Sequence, residues 1–334
     1  MTSWLPSVPW FSKQSKPEKA QDTNTGLLSD SDPGFTHLSN AGPDKGFFAL
    51  SDVRERPEKA DRGGSRVIAL PKGRYEAPPQ LAKGLKSCDL SHLSKDRDGK
   101  LAIDLELAIA TASNDVITMR PTIHARNSNE ETRMIYDAEM VWMEAKQGAK
   151  DCMLLGTSFD IASGEKQKKV TFPHPMEKEV EIAHWVQDFR FNTEEGGPYE
   201  CDFWASHVTA EGFTANASGS KNAERLDATW IVYKKGKHHV ASGSFSTDEI
   251  EGRDENKAQN SGRVEFPKGA FTKSPTVLLA LSQFDLAGGR DLRIGVRAEN
   301  VSDTGFIWHL NSWGEGSEDA LGNAEGTWIA LGFA

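Results

Sequence analysis

Apolar positions along the chain follow two patterns, and neither is helical. The run VLLALSQF (277–284) is continuously apolar over strand length, which suits a strand buried between two sheets. LRIGVRAENV (292–301) and FIWHLNSW (306–313) alternate apolar with polar residues, as strands with one wet face do. Clusters of Gly, Asp, Ser and Asn separate such runs at the spacing of a sandwich. No segment holds a 3.6-residue apolar period over helical length. The pattern predicts an all-β chain.

The same pattern recurs. RVIALPKGRYEAPPQLAKGLKSCDL (66–90), KVTFPHPMEKEVEIAHWVQDF (169–189) and RVEFPKGAFTKSPTVLLALSQFDL (263–286) each run from a short β-branched stretch through Pro and a polar loop. A second apolar run follows, then an aspartate: Asp89, Asp188 or Asp285. Leu70 to Asp89 and Phe266 to Asp285 both span 19 residues, and the middle copy spans 16. Downstream, HVTAEGF (207–213) matches NVSDTGF (300–306), with Asp115-Val116-Ile117 a weaker equivalent. Each copy closes on a tryptophan, Trp142, Trp230 and Trp328, spaced by 88 and 98 residues. A period of this size is a repeated structural unit. The expectation is three tandem antiparallel β-sandwiches of about six strands, over 44–146, 150–235 and 240–334, packed as an intrachain pseudo-trimer. The three strand-end aspartates read as turn formers.

Composition narrows the function classes. The 334 residues carry 39 Lys+Arg against 49 Asp+Glu, a net charge of −10, which argues against a nucleic-acid-coating protein. No apolar run approaches membrane-spanning length. The three cysteines are too few for a disulfide scaffold and suit a reducing compartment. Residues 1–43 are rich in Pro, Ser, Lys and Asp and read as a flexible arm without a secretory leader, so a cytoplasmic or non-classically released protein is expected. Lys146–Lys150 and Lys234–His239 read as polar connectors between copies.

The third copy carries more specific features: F-x4-F-x3-P-x-V from Phe266, a core strand ending in Asp285, L-R-I-G-V-R from Leu292, the turn V-S-D-T-G-F, Trp313 seven residues after Phe306, and a final Trp328-Ile329. In this order they resemble the H-type lectin domain, the module of the snail agglutinins and of the C-terminal part of the discoidins. The resemblance covers roughly 240–334. It implies a six-stranded sandwich that binds galactose or N-acetylgalactosamine at a seam between neighbouring protomers, with no cofactor. Carried over, it places an acceptor at Asp254 with a backbone contact at Gly252, a donor fork at Arg293 and an aromatic at Trp313. The family histidine after the tryptophan is Gly314 here, and His309 or Asn311, on the same strand face as Trp313, is a candidate replacement.

These residue types suit sugar chemistry. A carboxylate and a planar guanidinium take hydroxyls in bidentate fashion, and an indole covers the C–H face of the ring. Each also has a plainer reading: Arg293 as an ion-pair partner of Asp291 or Asp254, Trp313 as core, Asp254 as a solvated loop charge. Counted along the strands, Arg293 becomes Asp104 and Glu200 in the other copies, and Trp313 becomes His124 and Ser220. One complete set is therefore expected. His124, His184, His207, Asp160 and Asp188 lack metal-ligand spacing, and neither GxSxG nor a phosphate-cradling glycine loop occurs. The expected class is a non-enzymatic, metal-free glycan binder without a membrane span, with self-association open. The alternative is an assembly scaffold whose seams mediate protein contacts.

Overall fold

The computed structural model describes residues 38–39, 47–49, 66–70, 72–91, 102–123, 135–176, 179–194, 196–250, 258–314 and 321–332. Among them the regular structure is all strand, apart from one 3-10 turn at Thr247–Glu249, and the sheets are antiparallel. No helix among the described residues is long and apolar enough to cross a membrane. The first third supplies β1 (Leu38–Ser39), β2 (Phe47–Ala49), β3 (Arg66–Ala69), β4 (Gln80–Leu90), β5 (Ala102–Ala112), β6 (Val116–Ile123) and β7 (Ile135–Ala145). The second supplies β8 (Cys152–Asp160), β9 (Gln167–Thr171), β10 (Val180–Asn192), β11 (Tyr199–Ser206), β12 (Gly212–Gly219) and β13 (Ala223–Lys234). The last supplies β14 (Val240–Ser246), β15 (Gln259–Glu265), β16 (Thr276–Leu286), β17 (Leu292–Glu299), β18 (Gly305–Ser312) and β19 (Leu321–Leu331).

Among the described residues three sheets form, and each joins strands from two thirds of the chain. Their orders are β1-β7-β4-β17-β18-β15 with β2 also on β7, β3-β6-β5-β10-β13-β8, and β14-β19-β16-β11-β12-β9. Each sheet is one half from one third and one half from another. The halves meet at three seams, β4 on β17, β10 on β5 and β16 on β11. Within a third, the two half-sheets lie face to face. Phe266 and Phe306 pack on Trp328, and Phe245 stacks on Trp308 at 4.4 Å, all inside the last third. Sandwiches thus close within a third, and sheets run between thirds.

Register shows that the thirds repeat in detail. Trp142, Trp230 and Trp328 face Lys83, His184 and Leu279 on the neighbouring strand, and all three indoles are buried. The turn before β6, β12 and β18 uses the same backbone bond: Ser113, Thr209 and Ser302 donate from their N–H groups to the carbonyls of Val116, Gly212 and Gly305. A Cβ on Gly212 or Gly305 would lie 2.1 Å from the carbonyl oxygen of Val170 or Val264, so glycine is required where the entering strand passes so closely. The polar segment at 146–150 is a tight turn, and so is that at 234–239, closed by bonds from Ala149 to Lys146 and from Lys237 to Lys234.

A bulge recurs on the seam strands, between Leu85 and Ser87, between Val186 and Asp188, and between Leu281 and Gln283. Counting from it, Asp89, Arg190 and Asp285 are equivalent, whereas Asp188 matches Ser87 and Gln283. Asp188 is therefore not the counterpart of Asp89. None of the three aspartates forms a turn either, for all lie within β4, β10 and β16. The bulge inserts one residue and reverses the inward–outward alternation beyond it, leaving Asp89, Arg190 and Asp285 half-buried at the seam and Asp188 buried.

Inside the three seam strands lies a second core. Gly84, Trp185 and Ala280 are equivalent positions, and a Cβ on Gly84 would lie 2.7 Å from Cβ of Trp185 and 2.8 Å from Cβ of Ala280. One large residue and two minimal ones fill the meeting point. Ala82, Ala183, Leu278, Val141, Ile231 and Ile329 surround it. Most of the segment expected as an arm lies outside the described residues, but Leu38–Ser39, within it, pairs with Ala145 and Glu144 of β7.

Candidate functional site

The β4–β17 seam brings Arg293 and Trp313 together. Arg293 lies opposite Asp89, and strand alternation turns both side chains outward while Leu292, Ile294, Cys88 and Leu90 point into the core. Trp313 follows the end of β18, one position beyond the Ile294–Ser312 pair, which puts it beside Arg293 on the same face. Nε of Arg293 donates to Oδ1 of Asp89 at 2.9 Å, and a terminal nitrogen donates to Oδ2 of Asp291 at 2.9 Å. The Trp313 indole N–H points at Oδ2 of the same Asp89 at 3.4 Å. One carboxylate, from a strand 204 positions away in sequence, thus holds both side chains. Gly295 makes room, since a Cβ there would lie 2.7 Å from Ser87 and 3.6 Å from the indole ring.

The cluster is partly open to water. The side chains of Arg293 and Asp89 retain 27% and 21% of their exposure, and Tyr136, on the adjoining β7, is exposed. Burial raises the Asp89 carboxyl above its ordinary value, against the lowering effect of Arg293 and the Trp313 indole. Burial also opposes the charge on Arg293, but Asp89 and Asp291 outweigh it and the guanidinium is held above its ordinary value. This is a polar, charge-rich patch beside an indole, suited to exchanging hydrogen bonds with a polyol.

The remaining expected residues are distributed differently. His309 shares the outer face, but its Nε2 lies 3.0 Å from Glu299 and it pairs across from Arg297. Four residues of strand, about 13 Å, separate it from Trp313. Asn311 is nearer but buried, its Oδ1 accepting from the Asn260 N–H at 2.8 Å. Both lie on the strand face of Trp313, each already bonded to a neighbour within the sheet. Gly252 and Asp254 lie outside the described residues, as does His124. Ala258, just beyond that segment, accepts from the Ser312 N–H at 2.8 Å.

The other two seams carry different chemistry at the same register position. At β10–β5 the charges are exchanged, with Arg190 opposite Asp104; Arg190 Nη1 lies 3.7 Å and Arg225 Nη2 3.2 Å from that carboxylate. Behind them Asp188 accepts from the Leu107 N–H at 2.6 Å and lies 3.7 Å from Lys83 of the first third. Asp227 pairs across from Asp188; burial pushes its carboxyl up to about 6, against the Ser158 hydroxyl and Arg225. At β16–β11 two acids meet, Asp285 opposite Glu200, with Asp202 and Glu325 nearby. Burial raises all four carboxyls, and Asp285 adds to the rise at Glu200.

Asp89 is the residue that sequence reasoning assigned elsewhere. Its signal was present, an acid recurring at the end of a core strand, but its partner lies in another third. Among the described residues no group of three or more His, Cys, Asp or Glu side chains is arranged to hold a metal ion.

Comparison with known proteins agrees on the C-terminal part of the chain. Residues 261–331 match the H-type lectin domain family. That segment runs from within β15 to the end of β19 and includes Arg293, His309, Asn311 and Trp313, but not Asp89. The chain is also similar to a Fuscovulum blasticum protein described as "ATP synthase subunits region ORF 7", at 30% identity over 69 residues. That similarity covers 21% of this chain and 56% of the relative, so the chain spans just over half of that protein's length. No solved structure matches the chain.

Proposed function

We propose that the chain is a non-catalytic carbohydrate-binding protein that takes galactose- or N-acetylgalactosamine-type glycans at the β4–β17 seam. The observation that supports this is the meeting of Arg293 and Trp313, both inside the segment matched to the H-type lectin domain, on a carboxylate from another third of the chain. The guanidinium has five N–H donors, and Asp89 and Asp291 engage only part of them, leaving others for sugar hydroxyls. The indole offers a flat surface for the C–H face of the ring. Each hydroxyl exchanges water for protein at little net gain, so affinity per site is weak.

In this reading the three thirds are lectin-like sandwiches packed within one chain as three protomers would be, and only one seam holds the binding set. A single site per chain gives no avidity unless chains associate. The test is a glycan array with wild type and Arg293→Ala, the fold of each checked by circular dichroism. Wild-type binding that Arg293→Ala loses supports the site; no wild-type binding, or equal binding by both, overturns it. A second reading, an assembly scaffold, is favoured by the ion pairs that close two of the three seams. It predicts that Arg293→Ala lowers stability and leaves no glycan signal to lose.

A further inference from the structure

We propose that four acids at the β16–β11 seam make glycan binding at the β4–β17 seam pH-sensitive, because protonating them closes the one seam and tightens the site at the other. The inference rests on the glycan-binding reading above and names how that site is regulated. Glu200 and Asp202 alternate with the buried Cys201 and Phe203 of β11, so they share one face. Asp285 lies directly opposite Glu200, and Asp202, Gln283 and Glu325 form a row across β11, β16 and β19. The second third supplies β11, and the last third supplies β16 and β19. Among the described residues none of the four carboxyls is in an ion pair, whereas an arginine faces an aspartate across each of the other seams. The charges that bear on them are acidic: Asp285 on Glu200, and Asp202 and Glu249 of the 3-10 turn on Glu325, whose carboxylate also accepts from the Ser282 hydroxyl at 3.0 Å. Burial holds all four carboxyls above their ordinary range, so they take up protons more readily in the closed seam than in a parted one.

The loop between β16 and β17, residues 287–291, joins the two seams. At its start, Gly288 packs so closely on the β10–β11 loop that a Cβ there would lie 1.2 Å from the Gly197 carbonyl oxygen. Further along, the Arg290 carbonyl accepts from the hydroxyl of Tyr199, the neighbour of Glu200 on β11, at 3.1 Å. At its end, Asp291 accepts from a terminal nitrogen of Arg293 at 2.9 Å. The second third thus grips the loop one residue before the carboxylate that holds the guanidinium. When like charges part β11 from β16, that grip slackens, and Arg293 loses the fixed position of one of its two anchors. Protonation restores it. Proton and sugar favour the same state, so each raises the affinity for the other. Asp89, the second anchor, works in the opposite sense: protonating it frees Nε of Arg293, so it is not a source of tighter binding at acidic pH.

The experiment titrates galactose and N-acetylgalactosamine, neither of which ionises, into the full chain at pH 5 and pH 8, with the fold checked by circular dichroism at each pH. Wild type should bind about fivefold more tightly at pH 5. Glu200→Gln and Asp285→Asn each keep the side-chain shape and remove a charge, and leave Asp89 and His309 in place. Each should strengthen binding at pH 8 and bring the ratio below about twofold. Tyr199→Phe, which cuts the hold on the loop, should bind at pH 5 as weakly as wild type does at pH 8. Asp227→Asn, at the β10–β5 seam, controls for acid titration elsewhere and should leave the ratio unchanged. Equal wild-type affinity at the two pH values, or tighter binding at pH 8, overturns the inference and leaves the glycan site standing. A wild-type ratio in both Glu200→Gln and Asp285→Asn overturns the role of this seam. No wild-type binding at either pH overturns the glycan reading and the inference with it.

Discussion

Replacing Gly84 with alanine adds one methyl group at the point where the three seam strands meet. The new Cβ would lie 2.7 Å from Cβ of Trp185 and 2.8 Å from Cβ of Ala280, distances that no ordinary packing reaches. Neither neighbour is the free end of a long side chain, so no rotamer change relieves the contact. The strands themselves must separate, and Ala82, Ala183 and Leu278 move with them. Overpacking of this kind costs about 1–3 kcal/mol, and the upper half of that range applies because two Cβ atoms are struck at once. Chemical denaturation reads it as a lower midpoint at unchanged slope. Trp185→Ala attacks the same point from the other side. It empties a fully buried site and strips the Thr327 carbonyl of the indole N–H that donates to it at 3.1 Å, for a loss of about 3–5 kcal/mol. A Gly84→Ala protein as stable as wild type to within about 0.5 kcal/mol would refute the claim that the three thirds share this core.

Two further expectations concern charge. Glu200→Arg would place a guanidinium opposite Asp285, copying the pairing that the other two seams already have, and should raise stability by about 0.5–1 kcal/mol in a denaturation midpoint at pH 7 and low salt. An unchanged or lower midpoint counts against like-charge strain at that seam. Asp227 gives a pH signature. Its carboxyl sits at about 6 in the fold against an ordinary value near 3.8, so protonation favours the folded state. Its contribution is fully present below about pH 4 and is lost as pH rises toward 6, on the order of 3 kcal/mol. His184 works in the opposite sense: desolvation holds its imidazole down to about 4, so its contribution is present above pH 6.5 and is lost as pH falls toward 4. The two offset each other between pH 4 and 6, so Asp227→Asn should make stability rise with pH across that range more steeply than in wild type. A profile parallel to wild type would show that the carboxyl titrates at its ordinary value.

Much of the fold was legible because strand periodicity is local. The alternation in LRIGVRAENV and FIWHLNSW and the apolar run VLLALSQF became β17, β18 and β16, and the closing tryptophans fell at one register position in all three thirds. Arg293 and Trp313 were legible as neighbours for the same reason, being opposed on adjacent strands. Asp89 was not, because its contact with Arg293 arises where half-sheets from different thirds join, and no local pattern encodes which strand arrives there. The equivalence of Arg190 with Asp89 was hidden by the bulge, which leaves no signature in residue type. His309 was placed on the right face and its four-residue separation from Trp313 is plain in the sequence, but its attachment to Glu299 follows from the register of β18 on β17.

The central claim is that glycans bind at one seam, through the set joined by Asp89, and not through the seams in general. Isothermal titration of a neutral sugar selected on the array, into wild type, Trp313→Ala and Arg190→Ala, tests it most directly. Trp313→Ala removes the aromatic platform at the β4–β17 seam, and Arg190→Ala breaks the equivalent ion pair at the β10–β5 seam. The account predicts that Trp313→Ala loses measurable heat while the folded Arg190→Ala protein binds within twofold of wild type. Wild-type affinity in Trp313→Ala, or equal loss in both variants, would contradict it.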